Sequence, residues 1–318
     1  MTRVLLRFDL RQVRAFLRVA EELHFGRAAE QLAMTAPAVS RTIRELEAAV
    51  GVALFERSTR RVRLTPAGAA FAAECQLAMG HLQLAANAAK SAAEGQSGRL
   101  RVGYMDFAIN GRLPQILQAF RAAAPGVTVD LEYLPTAAQH RALLEGRIDI
   151  GFMIGPFQSH RMSNLLVDED DFVAMLPEGH RLAGREALKL ADLAGEPFVI
   201  GSEETFSSFR RVFFDLCHRA GFVPDVVQEA SNSSGIFGLV AAGAGITAYA
   251  GCARNVRRTG VVVKSIADVR ERIPIFAAWL EDHPSEALRR FRDSAMAEKD
   301  KWMMPPAGPR RQRNVKRS

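Results

Sequence analysis

Apolar residues at Leu10, Val13, Phe16, Leu17 and Ala20 keep helical spacing and predict a first helix from about Asp9 to Leu23. Ala28, Ala29 and Leu32 then share one helical face and Val39, Ile43 and Leu46 another, so residues 25–46 read as two helices joined by a tight turn at Met34 and Thr35. Thr35 is placed to cap the second helix, and Pro37 falls in its first turn, where a backbone N–H needs no partner. Val62 and Leu64 suggest a short hairpin. The pair Thr65 and Pro66 opens a longer helix reaching about Glu94. Within it Phe71, Ala78, Ala85 and Ala92 recur every seventh residue, as do Ala70, Leu77 and Leu84. That narrow seam predicts a partner helix, hence a dimerisation role, with packing onto its own domain as the competing reading. Gly80 inside it costs about 1 kcal/mol of helix propensity, as expected of a helix stabilised by a partner.

Beyond the hinge-like GQSG of residues 95–98, the pattern changes to alternating strands and helices. Strands are predicted at Leu100–Tyr104, Val127–Leu134 and Ile148–Ile154, with helices at Arg112–Ala124 and Ala137–Glu145 between them. This βαβαβ order predicts a parallel sheet with helices on its faces. A second such unit follows: a strand at Phe198–Gly201, a helix at Phe206–Ala220, a strand at Asp225–Glu229, a helix at Ile236–Ala242 and a strand at Ile246–Tyr249. Strands near Val261–Lys264 and Ile273–Leu280, then a helix over about Ser285–Asp300, return the chain. Two α/β lobes linked by crossing segments have the outline of a periplasmic-binding-protein fold, with a ligand cleft between the lobes. The expected division is 1–65, 66–94 as a linker helix, 95–304 as the two-lobed domain, and a basic tail, 305–318, without apolar periodicity and expected to be disordered.

Charge separates these parts. Residues 1–65 hold twelve Arg, no Lys and seven acids, a net of +5; the tail adds +5, which leaves the body between them at −3. A basic head on a mildly acidic body fits nucleic-acid binding by the head and another task for the rest. On the helix beginning near Thr35, the face opposite Val39, Ile43 and Leu46 presents Pro37, Ser40, Arg41 and Arg44. Small and hydroxyl groups followed by two guanidinium forks suit a helix in the DNA major groove. Arg57, Arg60, Arg61 and Arg63 follow on the expected hairpin, where they would meet phosphates. An ordinary helical hairpin with a solvated basic face is the competing reading of the same spacing.

The run from Leu10, LRQVRAFLRVAEELHFGRAAEQLAMTAPAVSRTIRELEAAVGVALFERSTRRVRLTPAG, resembles the winged helix-turn-helix of the LysR-type transcriptional regulators. The resemblance covers about sixty positions of the head and extends over the whole chain; its HFGRAAEQL segment is similar to members that govern catabolism of aromatic compounds. It implies an α/β protein with an N-terminal winged helix-turn-helix, a long linker helix and a C-terminal effector domain. It implies a cytoplasmic dimer or tetramer on an interrupted inverted repeat of double-stranded DNA, with RNA polymerase as a candidate further partner. The implied signal is a small molecule, a carboxylate or an aromatic metabolite, bound between the lobes.

Ligands of open parallel sheets bind past the C-terminal strand ends. The candidates there are Met105, Asp106, Phe107, Pro135, Thr136, Gly155, Pro156, Ser202, Glu203, Thr205, Ser231, Asn232, Ser233, Thr247 and Tyr249. Several precede helices, whose free N–H groups favour an anion, although Ser, Thr and Asn are also ordinary helix caps. In the subgroup responding to aromatic-ring breakdown products, Thr136 falls on a ligand-contact position. The hydroxyl residue which that subgroup uses after the first strand is replaced here by Phe107, beside Asp106, whose carboxylate would repel a dicarboxylate if unpaired.

Other classes fit less well. GAGITA, residues 243–248, has the outline of a dinucleotide fingerprint, which would make the chain an NAD-dependent enzyme. That motif requires strand before and helix after, the reverse of the order expected here. Seven scattered His and three widely spaced Cys (Cys75, Cys217, Cys252) form no metal or disulfide pattern, so no metal or cofactor is expected and the thiols read as small buried hydrophobes. There is no G-x-S-x-G elbow. A purely small-molecule-binding protein leaves the Arg-rich head unexplained. The charge-free stretch 230–253 is long enough to span a bilayer, but its five glycines and three serines predict a buried helix, turn and strand. The opening residues lack a secretory pattern.

Overall fold

Local chemistry sets the first unit. Helix α1 (Leu10–Glu22) starts at Asp9, whose side chain accepts from the Gln12 N–H while the Gln12 side chain accepts from the Asp9 N–H. Helix α2 (Phe25–Gln31) is capped by His24, whose Nδ1 accepts from the N–H groups of Gly26 and Arg27. Ala33 takes a left-handed conformation, φ 51°, to turn the chain into α3 (Ala36–Val50), capped by Thr35 and ended by Gly51 at φ 86°. Strands β1 (Phe55–Arg57) and β2 (Val62–Leu64) form the antiparallel hairpin. The backbone N–H groups of Leu54 and Phe55 both donate to Glu47 Oε1, at 2.9 and 3.1 Å, tying the hairpin's start to α3. The 28-residue helix α4 (Pro66–Ala93) follows, with Thr65 Oγ1 accepting from the Gly68 N–H. A Cβ on Gly68 would lie 2.0 Å from the Leu54 carbonyl oxygen, so this close approach requires glycine.

The structure, a computed structural model, describes residues 7–57, 61–93, 98–155, 161–283 and 285–303. Arg60, Pro156, residues 95–97 of the expected hinge and the basic tail lie outside the described residues, as does the side chain of Arg57. The chain falls into two compact units, the first running to Ala88 and taking in Leu144–Gly146, the second made of the rest. The first is cored by Phe16, Val19, Val39, Ile43, Leu46 and Leu54, with Phe16 against the rings of Phe55 at 5.3 Å and Phe71 at 5.2 Å. Each such side chain contributes about 1.5–3 kcal/mol on burial, which offsets the entropy of ordering three short helices. Along the heptad seam Phe71 packs into this core and Leu84 is buried within the single chain, whereas Ala70, Ala78 and Ala85 are exposed. Two of the seven seam residues are thus already used within the chain.

The second unit is two lobes. The first has β3 (Arg99–Tyr104), the short α5 (Asp106–Ile109), α6 (Leu113–Ala123), β4 (Thr128–Tyr133), α7 (Thr136–Leu144) and β5 (Ile150–Ile154). Strand β6 (Met162–Asp170) follows, and the chain crosses at Asp171 into β7 (Phe172–Pro177) of the second lobe. That lobe continues with β8 (Ala187–Leu188), β9 (Pro197–Gly201), α8 (Glu203–Arg219), β10 (Asp225–Ala230), α9 (Ser233–Ala241), β11 (Thr247–Ala250) and β12 (Val261–Ile266). The chain then returns to the first lobe as β13 (Ile273–Leu280) and α10 (Glu286–Met303). The first sheet runs β4-β3-β5-β13-β6, parallel among β4, β3 and β5 and antiparallel around β13. In the second lobe β11-β7-β12-β8 is joined to the parallel pair β10-β9 by a bridge between Phe198 and Ile246. Strands β6, β7 and β8 were not among those expected from the pattern. Residues 230–253 form a helix, a turn and a strand, and no described helix is long and apolar enough to cross a membrane. Helix precedes strand around GAGITA, opposite to the dinucleotide fingerprint.

Candidate nucleic-acid interface and ligand cleft

Helix α3 buries Val39, Ile43 and Leu46 completely, which turns its other face outward. There Thr35, Pro37, Arg41 and Arg44 are exposed and Ser40 is half-buried. The guanidinium of Arg41 pairs with Glu45 one turn on, at 2.9 Å, and that of Arg44 reaches back to the Ser40 carbonyl and hydroxyl at 3.3 and 3.4 Å. The Arg41–Glu45 ion pair is solvent-exposed and the bonds of Arg44 to Ser40 are local, so either arginine can swing outward at small cost. On the hairpin Arg61 and Arg63 are exposed. The geometry is a rigid helix with two extendable forks beside a basic hairpin, an arrangement that can read a major groove and hold phosphates.

In the second unit, the ends of β3, β4, β9 and β10 face the region between the lobes. Met105 caps α5 and is buried, with its Sδ 3.4 Å from the Thr136 hydroxyl. Asp106 is not the unpaired carboxylate expected: its Oδ2 accepts from the Tyr133 hydroxyl at 2.9 Å and, from the other lobe, the Ser233 N–H at 3.2 Å. Phe107 is fully buried, stacked on Tyr249 (centroids 4.8 Å apart) and Phe209 (5.3 Å), with Phe206 edge-on at 5.9 Å. It is a plug from one lobe in an aromatic nest of the other. Offset stacking adds about 0.5–1.5 kcal/mol per pair beyond area.

The other candidates scatter. Pro135 and Thr136 are half-buried at the start of α7. Gly155 is packed against the Phe276 ring, which a Cβ would approach to 2.4 Å. Ser202 pairs its hydroxyl with that of Thr205 at 2.5 Å. Glu203 is exposed, with Oε2 2.9 Å from Arg210 Nε at an angle outside hydrogen-bonding limits. Ser231 is exposed, and Asn232 caps α9 by accepting from the Gly235 N–H. Thr247 is buried on β11, its hydroxyl donating to the Ala248 carbonyl. The structure therefore brings Asp106, Phe107, Ser233 and Tyr249 together. Tyr133, at the last position of β4, was missed, although its place at a strand's C-terminal end carried the signal. Gln139 was also missed: fully buried, it donates to the Leu134 and Phe152 carbonyls while its Oε1 has no partner.

Electrostatics sharpen this picture. Burial, with the charge of Asp106 beside it, pushes the Tyr133 hydroxyl far above its ordinary range. Burial does the same to Tyr249, whose hydroxyl has no hydrogen-bond partner; Ser233 is close but outside bonding geometry. At the crossing into the second lobe, burial pushes the Asp168 and Asp170 carboxyls up, opposed in Asp168 by Arg112 and in Asp170 by the Cys252 N–H. Asp171 also loses solvent, but the Arg254 guanidinium, bonded to both its oxygens at 3.0 Å, holds it below the usual range. Among the described residues no group of three or more His, Cys, Asp or Glu is placed to hold a metal ion.

A helix-turn-helix with a basic wing, followed by a two-lobed ligand-binding unit, defines a ligand-controlled DNA-binding protein. The pattern of the bacterial regulatory helix-turn-helix protein, lysR family, matches residues 10–69, and that of the LysR substrate binding domain matches residues 93–299. The chain belongs to the LysR family of DNA-binding transcriptional regulators. It is 32% identical to the HTH-type transcriptional regulator AlsR of Bacillus subtilis over 283 residues, 89% of this chain and 94% of AlsR. Identity to TdfR of Cupriavidus pinatubonensis is 34% over 290 residues, 90% of this chain and 97% of that one. The fold matches the crystal structure of CbnR, a LysR family regulator, at TM-score 0.61 and 25% identity, over 92% of this chain and 99% of that one; CbnR complexed with its target DNA matches equally, over 92% and 100%.

Proposed function

We propose that the protein works in the cytoplasm as a homodimer or tetramer, without a catalytic step of its own, on an interrupted inverted repeat near a promoter. Pro37, Ser40, Arg41 and Arg44 read the major groove, Arg57, Arg60, Arg61 and Arg63 hold phosphates, and a small molecule between the lobes of the 95–304 region alters the DNA grip. The observation that carries the DNA half is the outward face of α3: exposed Pro37, Arg41 and Arg44 over a fully buried Val39, Ile43 and Leu46. The likeness to CbnR solved with its target DNA supports it. The ligand half is supported by the strand ends that converge on Asp106, Tyr133 and Ser233. Two-fold pairing of chains would supply two reading helices and so two half-sites. The test is footprinting of the full-length protein on promoter DNA. Two protected half-sites about a dyad, shifted by a small molecule, are expected; equal protection of random sequence would refute it.

A further inference from the structure

We propose that Asp106 is a resident carboxylate occupying the anion position of the interlobe cleft, so that the cleft selects a small molecule that brings hydrogen-bond donors or a positive charge and no carboxylate. The inference rests on the reading of this cleft as the effector site.

The start of helix α9 is where an anion would be expected to bind in this cleft, because its N–H groups point outward and its dipole end is positive. Those donors are largely taken. Of the three first-turn donors, the Ser233 N–H goes to Asp106 Oδ2 and the Gly235 N–H to the Asn232 side chain at 2.9 Å, which leaves the Ser234 N–H. Asp106 therefore stands, across 127 residues of sequence, where a ligand carboxylate would stand. Three arginines on the surrounding elements are committed as well. Arg112 lies 3.6 Å from Asp168 and stacks on Trp302, Arg254 holds Asp171 by both oxygens, and Arg210 is held by Glu229 and the Gly201 carbonyl. A second carboxylate entering here would meet Asp106 and would have to compete with the acceptors these guanidinium groups already hold.

What Asp106 retains is acceptor capacity. Both of its bonds fall on Oδ2, and a carboxylate offers about four lone-pair directions, so Oδ1 remains for a further donor. Beside it lies the Tyr249 hydroxyl, buried and unpartnered, on a ring stacked against Phe107. A buried hydroxyl without a partner is a standing cost that a ligand's polar atom can remove. An aromatic ammonium or amidinium offers donors to Oδ1 and to the Tyr249 oxygen and a flat face to the Tyr104–Tyr133 pair, whose rings are 5.8 Å apart.

The test uses full-length protein and four probes at matched ionic strength: benzylammonium, benzamidinium, benzoate and isophthalate. Unfolding midpoints are followed against probe concentration for the native chain, Asp106→Ser and Asp106→Asn. The Asn variant keeps an acceptor for the Ser233 N–H without the charge and guards against a Ser variant that fails to fold. The native chain is expected to respond saturably to the cations and not to the anions. Both variants should lose affinity for the cations by about tenfold or more, and Asp106→Ser should gain a response to benzoate. The same probe preference in native and variant chains, or no response to any probe in all three, would overturn the proposal. Footprints taken in parallel separate the two readings. Charge reversal in Asp106→Ser without any ligand effect on DNA leaves the resident carboxylate and removes the effector role; DNA effects of small molecules with no change of charge preference do the opposite.

Discussion

The carboxylate of Asp149 holds the base of the sheet whose other end presents Tyr104, Met105 and Asp106 to the cleft, and its removal can be worked through. Its side chain is 5% exposed and accepts four times: from the Arg101 N–H at 2.7 Å, Arg101 Nε at 3.2 Å, Arg101 Nη2 at 2.5 Å and His283 Nε2 at 3.1 Å. Asp149→Ala takes the carboxylate away from the guanidinium of Arg101, 21% exposed, and leaves the Nε2 of His283, 4% exposed, without its acceptor. Removing one partner of such a buried pair costs about 3–5 kcal/mol. For a unit of this size each kcal/mol moves the midpoint by about 2–4 °C, so the drop should be about 6–20 °C. Tryptophan fluorescence of the full-length chain is the assay, because its two tryptophans, Trp279 and Trp302, both lie in this unit. The pH dependence has a definite sign. Burial raises the Asp149 carboxyl, but hydrogen bonds from His283 and Arg101 outweigh it, and the folded value ends below the ordinary one. Its contribution is therefore fully present above the unfolded carboxylate range, near pH 4, and is lost as pH falls through the lower folded value. The gap between native protein and Asp149→Asn should be widest at neutral pH and narrow below about pH 4. A fall of less than about 2 °C for Asp149→Ala, or a gap to Asp149→Asn that is constant from pH 7 to 3, would refute the reasoning.

Arg41→Ala should weaken binding to the target site by about 1–3 kcal/mol and blur its sequence preference, measured by anisotropy against random DNA; equal losses on both would make Arg41 a phosphate contact only. Arg61→Ala should weaken all sequences alike and lower the salt slope by about one, and an unmoved slope would remove it from the interface. Leu77→Glu, on the half-buried side of α4, should shift the solution mass from dimer towards monomer in sedimentation, and an unchanged mass would place self-association elsewhere. Cys75, Cys217 and Cys252 are all buried; burial raises each thiol, Cys217 to about 12, with Asp170 adding to the rise in Cys252. Iodoacetamide at pH 8 should therefore label the native chain far more slowly than the unfolded one, and fast native labelling of Cys217 would contradict its burial.

The head was legible because its determinants are local. Thr35 caps the helix three residues ahead of the N–H it satisfies, and the periods of Val39, Ile43 and Leu46 fix the buried face without help from elsewhere. The same holds for β3 to β5 and for the helix-then-strand order at 233–250. Strand β6 was not legible: three of its last residues are acidic, and its pairing with β13 joins segments about a hundred residues apart. Sheet order is a tertiary choice that alternation alone does not encode. The cleft shows the same limit at single residues. Phe107 follows a strand end as a ligand contact would, yet its burial depends on Phe206, Phe209 and Tyr249, on elements a hundred residues on. Asp106 could be read as repulsive only while the Ser233 N–H was unknown.

Those two neighbours define how a ligand could act on the lobes. The Phe107 nest is apolar, and its attraction falls with lost area in any direction, so it holds the lobes together without fixing their angle. The bonds from Ser233 to Asp106 and from Asn255 Nδ2 to the Asn110 carbonyl, at 3.2 and 2.8 Å, are directional and fix it. A ligand bound only by the first lobe would bind every lobe arrangement equally and shift none of them, however tight. One that bonds Asp106 Oδ1 on the first lobe and the Tyr249 hydroxyl on the second binds the closed arrangement better, and that difference is the whole of its leverage on DNA. Tyr249→Phe is therefore the informative change: it keeps the ring that stacks on Phe107 and removes the second lobe's free hydroxyl. Such a variant should still bind the aromatic cations through Asp106 while losing most of their effect on the footprint.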